Sequence, residues 1–253
     1  MTLKVSLLIH PVSCDCLPSS AIVYLGESQI HKRKAKTMKK ASRKFLYLSL
    51  IFLTAFILWT KLISIIDVKA IGPKGSSVGF ATINSCFLEI TGVNMHLYTI
   101  TDWLGLVPII FAFGFGILGL LQWIKRRNIL KVDGSILTLG VFYIATMAVY
   151  ILFEYLVINY RPVLINGYLE ASYPSSTTML TLCVMPTAIM QFNERIKCKT
   201  LRFFIAITIT LFIVFMVLGR LISGVHWLSD IIGGTLFSTG LVMLYYYINL
   251  IWQ

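Results

Sequence analysis

The stretch GRLISGVHWLSD, from Gly219 to Asp230, places an arginine, a histidine and an aspartate at the edge of an apolar segment. The guanidinium of Arg220 can donate two parallel hydrogen bonds to phosphate oxygens. A carboxylate on one imidazole nitrogen fixes the tautomer and leaves the other nitrogen free as a nucleophile. His226 and Asp230 are four residues apart, so on a helix they would share one face. These residue types favour phosphoryl transfer, and the alternative is a loop with three solvated side chains.

Two other polar segments carry groups of the same kind. NYRP (159–162) contributes Arg161, and YPSST (173–177) contributes a proline followed by three hydroxyl residues, Ser175, Ser176 and Thr177. Proline and then Ser/Thr is typical of a helix N-terminus, where free N–H groups and the positive end of the dipole bind anions. Each piece alone has a structural explanation, as a helix cap or an arginine at a membrane edge. Their occurrence at one depth of a membrane protein indicates a functional site.

The composition is that of an integral membrane protein. Hydrophobic residues make up 57% of the 253 residues and charged residues only 13%, against about a quarter charged in soluble domains. Six apolar segments are long enough, or nearly so, to cross the hydrocarbon layer as helices. We therefore predict an all-α, six-helix polytopic bundle over residues 38–253. The predicted spans are 45–66, 103–124, 135–155, 175–192, 201–219 and 228–250.

The positive charges predict the orientation of this bundle. Sixteen of the 22 lysine and arginine residues fall in the segments 32–44, 125–131 and 195–202, which share one side of the membrane if the chain crosses six times. The positive-inside rule then places both termini in the cytoplasm and the three polar segments on the outer face of the cell membrane. The net charge of +12 is explained by this topology, so we expect no nucleic-acid partner.

The remaining segments add little chemistry. Residues 1–37 lack a sustained apolar run and do not read as a signal peptide, so we expect them to be disordered or to come from an upstream start codon. The longest connection, about 67–102, has enough apolar residues for a short interfacial helix. The five cysteines show no disulfide pattern, and Cys14 and Cys16 lack a second Cys/His pair. We expect no metal and no cofactor; the sequence does not predict the oligomeric state.

The three polar segments together resemble the type 2 phosphatidic acid phosphatase family, membrane lipid phosphatases related to the vanadium haloperoxidases. The family pattern is Lys-x6-Arg-Pro, then Pro-Ser-Gly-His, then Ser-Arg-x5-His-x3-Asp. The resemblance covers roughly residues 40–250. The matching positions are Arg161-Pro162, Pro174-Ser175, Arg220, His226 and Asp230.

The resemblance implies a role for each matching residue. His226 would be the nucleophile that forms a phosphohistidine, Asp230 would orient it, and Arg161 and Arg220 would bind the phosphate. Ser175 and the neighbouring backbone, including Ser176 and Thr177, are candidate oxyanion donors. The substrate class implied is a phosphorylated membrane lipid.

The chain departs from the family pattern at three motifs. Glu154 stands where the family has its lysine, Ser176-Thr177 replaces Gly-His, and Gly219 replaces the serine before the last arginine. In the family that histidine protonates the leaving group, which threonine cannot do near neutral pH. A lipid diphosphate needs little such help, because its leaving phosphate has a second pKa of about 6. An active enzyme would therefore favour a diphosphate, and an isoprenoid lipid diphosphate is the preferred prediction.

Two further readings stay open at this point. The chain could be a catalytically impaired family member that binds phosphorylated lipids as a scaffold or regulator, which the substitutions at Glu154 and Thr177 favour. A small transporter is the third reading. Its polar residues would be expected near the midplane of the membrane, whereas those of this chain cluster at one interface.

Overall fold

The computed structural model describes residues 42–252, and the predicted N-terminal extension 1–37 lies outside the described residues. The all-α prediction is confirmed, because regular structure in the described part is helical and strand pairing is limited to isolated bridges. Two short 3₁₀ turns lie at Pro73–Gly75 and Ile129–Lys131. The α-helices are α1 (Ser42–Ile63), α2 (Ala81–Thr91), α3 (Met95–Leu104), α4 (Leu106–Arg126), α5 (Gly134–Tyr155), α6 (Ser176–Arg195), α7 (Lys199–Ile222) and α8 (Leu228–Trp252).

Within residues 42–252, five helical stretches are long and apolar enough to cross a membrane. They are α1, the continuous α3–α4 stretch, α5, α7 and α8. The predicted fourth span, 175–192, forms as α6 but is not among the five. The reason is its polar composition, which includes Thr178, Thr181, Thr187 and Gln191. All four of these side chains are fully buried. Because α6 packs against α4, α5, α7 and α8, these side chains are shielded from lipid. Sequence hydropathy alone cannot distinguish a polar helix buried in a bundle from a helix exposed to water.

A polar cluster at one end of the bundle shows in which direction neighbouring helices run. Asp133, just before α5, accepts a hydrogen bond from Arg126 at the end of α4 (2.9 Å) and lies 3.7 Å from Arg195 at the end of α6. The Tyr245 hydroxyl of α8 donates to the carbonyl of Ser135 (3.3 Å). Because α5 begins at this end and α6 finishes at it, the two run antiparallel. The start of α6 therefore lies at the opposite end of the bundle, where α5 finishes.

The long connection after α1 forms two helices, where the sequence predicted one short interfacial helix. α3 packs against the last turns of α7, and this contact explains the glycine in the third motif. A Cβ on Gly219 would lie 2.7 Å from the Thr101 methyl group, too close for a side chain. Gly224 has a φ of +66°, and a Cβ there would lie 2.1 Å from the carbonyl oxygen of Gly92. The connection is thus held closely against the segment that joins α7 to α8.

A buried network of amide and hydroxyl groups fastens the loop 156–175 to the start of α8. Asn84 of α2 bonds Ser229 through both ends of its amide (3.0 and 3.1 Å). Asn159 donates to Asp230 Oδ1 (3.1 Å), and its carbonyl accepts from the Ser172 amide (2.9 Å). Buried polar groups of this kind must be hydrogen-bonded, so each partner restricts the others. The network brings two segments about seventy residues apart in the chain into contact.

Candidate active site

A polar cavity of about 220 Å³ lies at the end of the bundle where α5 finishes and α6 begins. Three charged side chains line it, Glu154, Arg161 and Glu170, together with the imidazole of His226. The other lining residues are Tyr150, Phe153, Ala171, Ser172, Tyr173, Pro174 and Ser176. The three polar segments picked out in the sequence therefore meet at one cavity.

The imidazole of His226 is almost completely buried and bonded on one side only. Its Nδ1 lies 3.1 Å from the Ser172 carbonyl oxygen and 3.0 Å from the Ser172 hydroxyl. A carbonyl oxygen can only accept, so the bonding pattern assigns the proton to Nδ1. Nε2 then carries a lone pair, and it has no hydrogen-bond partner among the described residues. This is the protonation state that a nucleophilic histidine requires.

The electrostatic surroundings keep this imidazole neutral. Burial lowers the pKa of His226 well below its usual value, and the positive charges of Arg161 and Arg220 lower it further. A bond to the Ser172 carbonyl acts in the opposite direction without outweighing these effects. The lone pair on Nε2 is therefore present at neutral pH and below.

The prediction that His226 and Asp230 pair on one helix face is wrong. α8 begins at Leu228, so His226 precedes the helix. Asp230 Oδ2 instead accepts from the Ser172 hydroxyl (2.5 Å) and from the Trp227 amide (3.0 Å). The carboxylate reaches the imidazole through Ser172. The indirect contact depends on the path of the loop between α7 and α8, which residue spacing does not predict.

Arg161 is largely buried and only partly engaged. Its Nε lies 3.1 Å from a Glu170 carboxylate oxygen, close enough for an ion pair but without the alignment of a hydrogen bond. Nε and Nη1 have no hydrogen-bond partner in the described part of the chain. Since Arg161 and His226 line the same cavity, these donors and the Nε2 lone pair can act on one bound phosphoryl group.

Arg220, in the last turn of α7, is 1% exposed and contacts the start of α6 beside the cavity. Its Nη2 donates to Asp102 Oδ1 (2.7 Å) and to Thr177 Oγ1 (2.6 Å). Nε and Nη1 again have no hydrogen-bond partner within residues 42–252. The guanidinium carbon lies 5.0 Å from the ring centre of Tyr98, and that of Arg161 lies 5.9 Å from the same ring. One tyrosine of α3 therefore holds both predicted phosphate-binding arginines by cation–π attraction.

The three predicted hydroxyl residues have different positions. Ser176 lines the cavity. Thr177 accepts the hydrogen bond from Arg220, so it supports the arginine. Ser175 is fully buried; its amide donates to the Asp230 carbonyl (3.2 Å) and its hydroxyl accepts from Thr178 (3.1 Å). Ser175 packs against α8, and its amide is already engaged, which does not fit the predicted oxyanion role.

Glu154 lines the cavity from the last turn of α5 and is exposed. Among the described residues no cation forms an ion pair with it, since Arg161 pairs with Glu170 instead. The Glu154 side chain therefore faces the cavity without pairing with Arg161. A carboxylate there opposes the binding of an anion.

Sequence reasoning missed four residues of the site: Ser172, Tyr98, Asp102 and Glu170. None belongs to a motif, and Tyr98 and Asp102 come from α3 in the long connection. No residue spacing in the sequence marks these four positions. In residues 42–252 no group of three or more His, Cys, Asp or Glu side chains could hold a metal ion.

Comparison with known proteins finds a family model and a solved structure that are similar to this chain. Residues 137–252, which include the three motifs, match the model of the PAP2 superfamily. The fold resembles the "crystal structure of the first transmembrane PAP2 type phosphatidylglycerolphosphate phosphatase from Bacillus subtilis", with a TM-score of 0.55 and 16% sequence identity. The similarity covers 80% of this chain and 95% of that one. No curated protein sequence matches the chain.

The resemblance inferred from the motifs is thereby confirmed. The chain shares the helical fold of a solved transmembrane PAP2-type phosphatase, and the range that matches the PAP2 superfamily model holds His226, Asp230 and both arginines. At 16% identity the likeness between the two structures concerns the fold. Substrate and mechanism depend on the site itself.

Proposed function

We propose that this PAP2-type chain is a membrane lipid phosphatase that cleaves a phosphorylated lipid through a phosphohistidine at His226. The observation that carries the proposal is the position of His226 Nε2. This atom bears the free lone pair of a buried imidazole whose other nitrogen is bonded to Ser172. Arg161, whose Nε and Nη1 form no hydrogen bond with any described residue, lines the same cavity.

The reaction follows from these groups. The Nε2 lone pair forms a bond to phosphorus while the bond from phosphorus to the leaving oxygen breaks, and that oxygen takes the electron pair. Donors of Arg161 and Arg220 stabilise the charge on the phosphoryl oxygens during transfer. A water oxygen then bonds to phosphorus, the N–P bond breaks, the water proton passes to solvent, and inorganic phosphate is released. The arginines supply the positive charge, and we propose no metal or cofactor.

The preferred substrate is a lipid diphosphate, and an isoprenoid diphosphate is our first choice. Thr177 occupies the position of the acid in the family motif, and its hydroxyl oxygen is bonded to Arg220. A leaving alkoxide without an acid is very basic, with a conjugate-acid pKa near that of water, ~15.7. A leaving phosphate has a pKa of about 6 and departs as a stable anion. The missing acid therefore penalises monophosphates far more than diphosphates.

We propose that the cavity faces the outside of the cell membrane. The polar cluster formed by Arg126, Asp133 and Arg195 lies at the other end of the bundle, next to the basic segments 125–131 and 195–202. By the positive-inside rule that end is cytoplasmic, and the C-terminus of α8 lies there with it. We also propose that the N-terminus is cytoplasmic.

A catalytically impaired lipid-binding protein is the second candidate, and the acidic residues of the site favour it. Arg161 is paired with Glu170 and Arg220 with Asp102, while Glu154 adds a further negative charge to the cavity. Such a protein would bind phosphorylated lipids weakly and turn none over. The lone pair on His226 Nε2 is the feature that this candidate does not use.

Phosphate release by the purified protein separates the two candidates. The panel is a prenyl diphosphate, the prenyl monophosphate with the same chain, and phosphatidic acid, each tested beside His226→Asn. We expect release from the wild type alone, with an acid-labile phosphoprotein trapped on the wild type and absent from the variant. Equal release by wild type and variant would exclude His226 as the nucleophile. No release by either protein, with lipid binding retained, would favour the second candidate.

A further inference from the structure

We propose that Ser172 is a positioning residue that connects Asp230 to His226 and so sets the reactive state of the nucleophile. This inference rests on the proposed function. The sequence motifs place an aspartate four residues after the histidine, which suggests a direct contact between them. In the structure the contact runs through a serine 54 residues before the histidine.

Ser172 presents two oxygens to the same nitrogen atom. Its carbonyl oxygen lies 3.1 Å from His226 Nδ1 and can only accept, so it holds the proton on Nδ1. Its hydroxyl lies 3.0 Å from the same nitrogen and 2.5 Å from Asp230 Oδ2. An ionised carboxylate can only accept, so the hydroxyl donates its hydrogen to Asp230. The hydroxyl oxygen then offers a lone pair to Nδ1–H.

The three groups are held so that this chain of hydrogen bonds cannot be replaced by a direct one. Ser172 is buried, and its amide donates to the Asn159 carbonyl (2.9 Å). Asp230 is fully buried, and its carboxylate also accepts from the Asn159 side chain (3.1 Å) and the Trp227 amide (3.0 Å). Rotation of the carboxylate toward His226 would break these bonds. The Ser172 hydroxyl is therefore the route from Asp230 to the imidazole.

This arrangement acts on the chemical step more than on substrate binding. When Nε2 bonds to phosphorus, the imidazole gains positive charge and Nδ1–H becomes a stronger donor. A hydroxyl polarised by the Asp230 carboxylate then stabilises that charge through a stronger hydrogen bond. Ser172 and Asp230 should therefore contribute as one unit, and neither should matter much without the other.

Ser172→Ala tests the proposal, with Ser238→Ala as the matched control. Ser238 is also fully buried and donates to a backbone carbonyl, that of Met179 (3.1 Å), away from the cavity. We expect Ser172→Ala to lower kcat by about 10²-fold, by analogy with the lower end of the loss when a preorganised oxyanion-hole donor is removed, with KM changed less than about threefold. Ser238→Ala should leave both constants near wild type. Thermal unfolding of both variants checks that any loss is not a loss of fold.

The dependence on Asp230 gives a second readout that a merely structural serine would not produce. Asp230→Asn should slow the wild type, because a neutral amide polarises the hydroxyl less. In the Ser172→Ala background the same change should alter kcat by less than about twofold, since the connection is already cut. Additive losses in the double variant would show that Asp230 acts independently of Ser172 and would overturn the proposal. So would a kcat for Ser172→Ala within threefold of wild type.

Nitrogen NMR of histidine-labelled protein separates this proposal from the proposed function. His226→Asn identifies the His226 signals among those of the four histidines. In the wild type we expect a protonated Nδ1 and a bare Nε2. The titration midpoint should fall in Ser172→Ala and in Asp230→Asn, with no further fall in the double variant. If neither the wild type nor any variant releases phosphate, the proposed function fails, but the titrations still test whether Asp230 acts on His226 through Ser172. Identical midpoints in all proteins would refute that connection.

Discussion

Glu170→Gln should strengthen the binding of phosphorylated lipids. In the structure a Glu170 oxygen lies 3.1 Å from Arg161 Nε, so a bound phosphate must compete with this carboxylate for the guanidinium. The main-chain bond from the Arg161 amide to the Glu170 carbonyl (3.0 Å) does not need the side chain. The substitution therefore removes the competitor and leaves the local backbone in place.

The size of the effect follows from the distance and the exposure. At 3.1 Å two unit charges attract by about 5 kcal/mol if the effective dielectric constant is about 20. The Glu170 side chain is 40% exposed, and solvent screening reduces such partly exposed pairs to roughly 1 kcal/mol or less. Since about 1.4 kcal/mol corresponds to tenfold in affinity, the expected change is a KM or Kd about two- to fivefold lower, with kcat nearly unchanged.

The assay is phosphate release or lipid binding in detergent at low and high salt, with Glu89→Gln as the control. Glu89 is an exposed carboxylate of α2 that does not line the cavity, so its removal changes the net charge equally without touching Arg161. We expect the Glu170 effect to shrink in high salt, because screening weakens the original competition. A KM that rises in Glu170→Gln would mean that Glu170 holds Arg161 in its binding position, and the competition argument would be refuted.

Three further outcomes follow from the site and its packing. With threonine at 177, a prenyl diphosphate should show a kcat/KM well above that of the monophosphate with the same chain, and a preference for the monophosphate would contradict the leaving-group argument. Because the pKa of His226 is lowered on folding, the folded state binds fewer protons than the unfolded state between that pKa and about 6.5. The apparent Tm should therefore fall from pH 7 to pH 5, and it should fall less in His226→Asn. Equal pH profiles of Tm in the two proteins would exclude His226 as a cause. Gly219→Ser, which restores the family residue, should cost about 1–3 kcal/mol of stability because the added Cβ would lie 2.7 Å from the Thr101 methyl group. Gly140→Ser is the control: a Cβ at Gly140 would have no neighbouring atom within 4 Å, so this variant should unfold near the wild-type temperature.

Much of the architecture was predictable because it depends on local composition. Apolar stretches such as 135–155 and 201–219 coincide closely with α5 (Gly134–Tyr155) and α7 (Lys199–Ile222), since an unbroken apolar run of this length is stable in a bilayer only as a helix. α6 shows where that reasoning is insufficient. Its threonines lower the hydropathy, and only the four helices around it show that it is buried in the bundle.

The motif residues were predictable for a different reason. The spacing between Arg220, His226 and Asp230 is local in the chain, so the sequence alone singled out these three residues. Arg161 and the start of α6 could be placed on the same side by counting spans. The cavity lined by Arg161, Ser176 and His226 agrees with that prediction.

The sequence by itself determined an all-helical protein with membrane-spanning segments and a motif that resembles that of the PAP2 phosphatases, because hydropathy and motif spacing are both local properties. The tertiary structure alone decided which groups touch. Ser172 stands between His226 and Asp230, and Tyr98 of α3 lies against both arginines. These contacts join residues 54 to 122 positions apart in the chain, through loops whose paths depend on buried hydrogen bonds and on close approaches such as Gly224 to Gly92. No local pattern encodes such contacts, because each depends on how several helices and loops pack together.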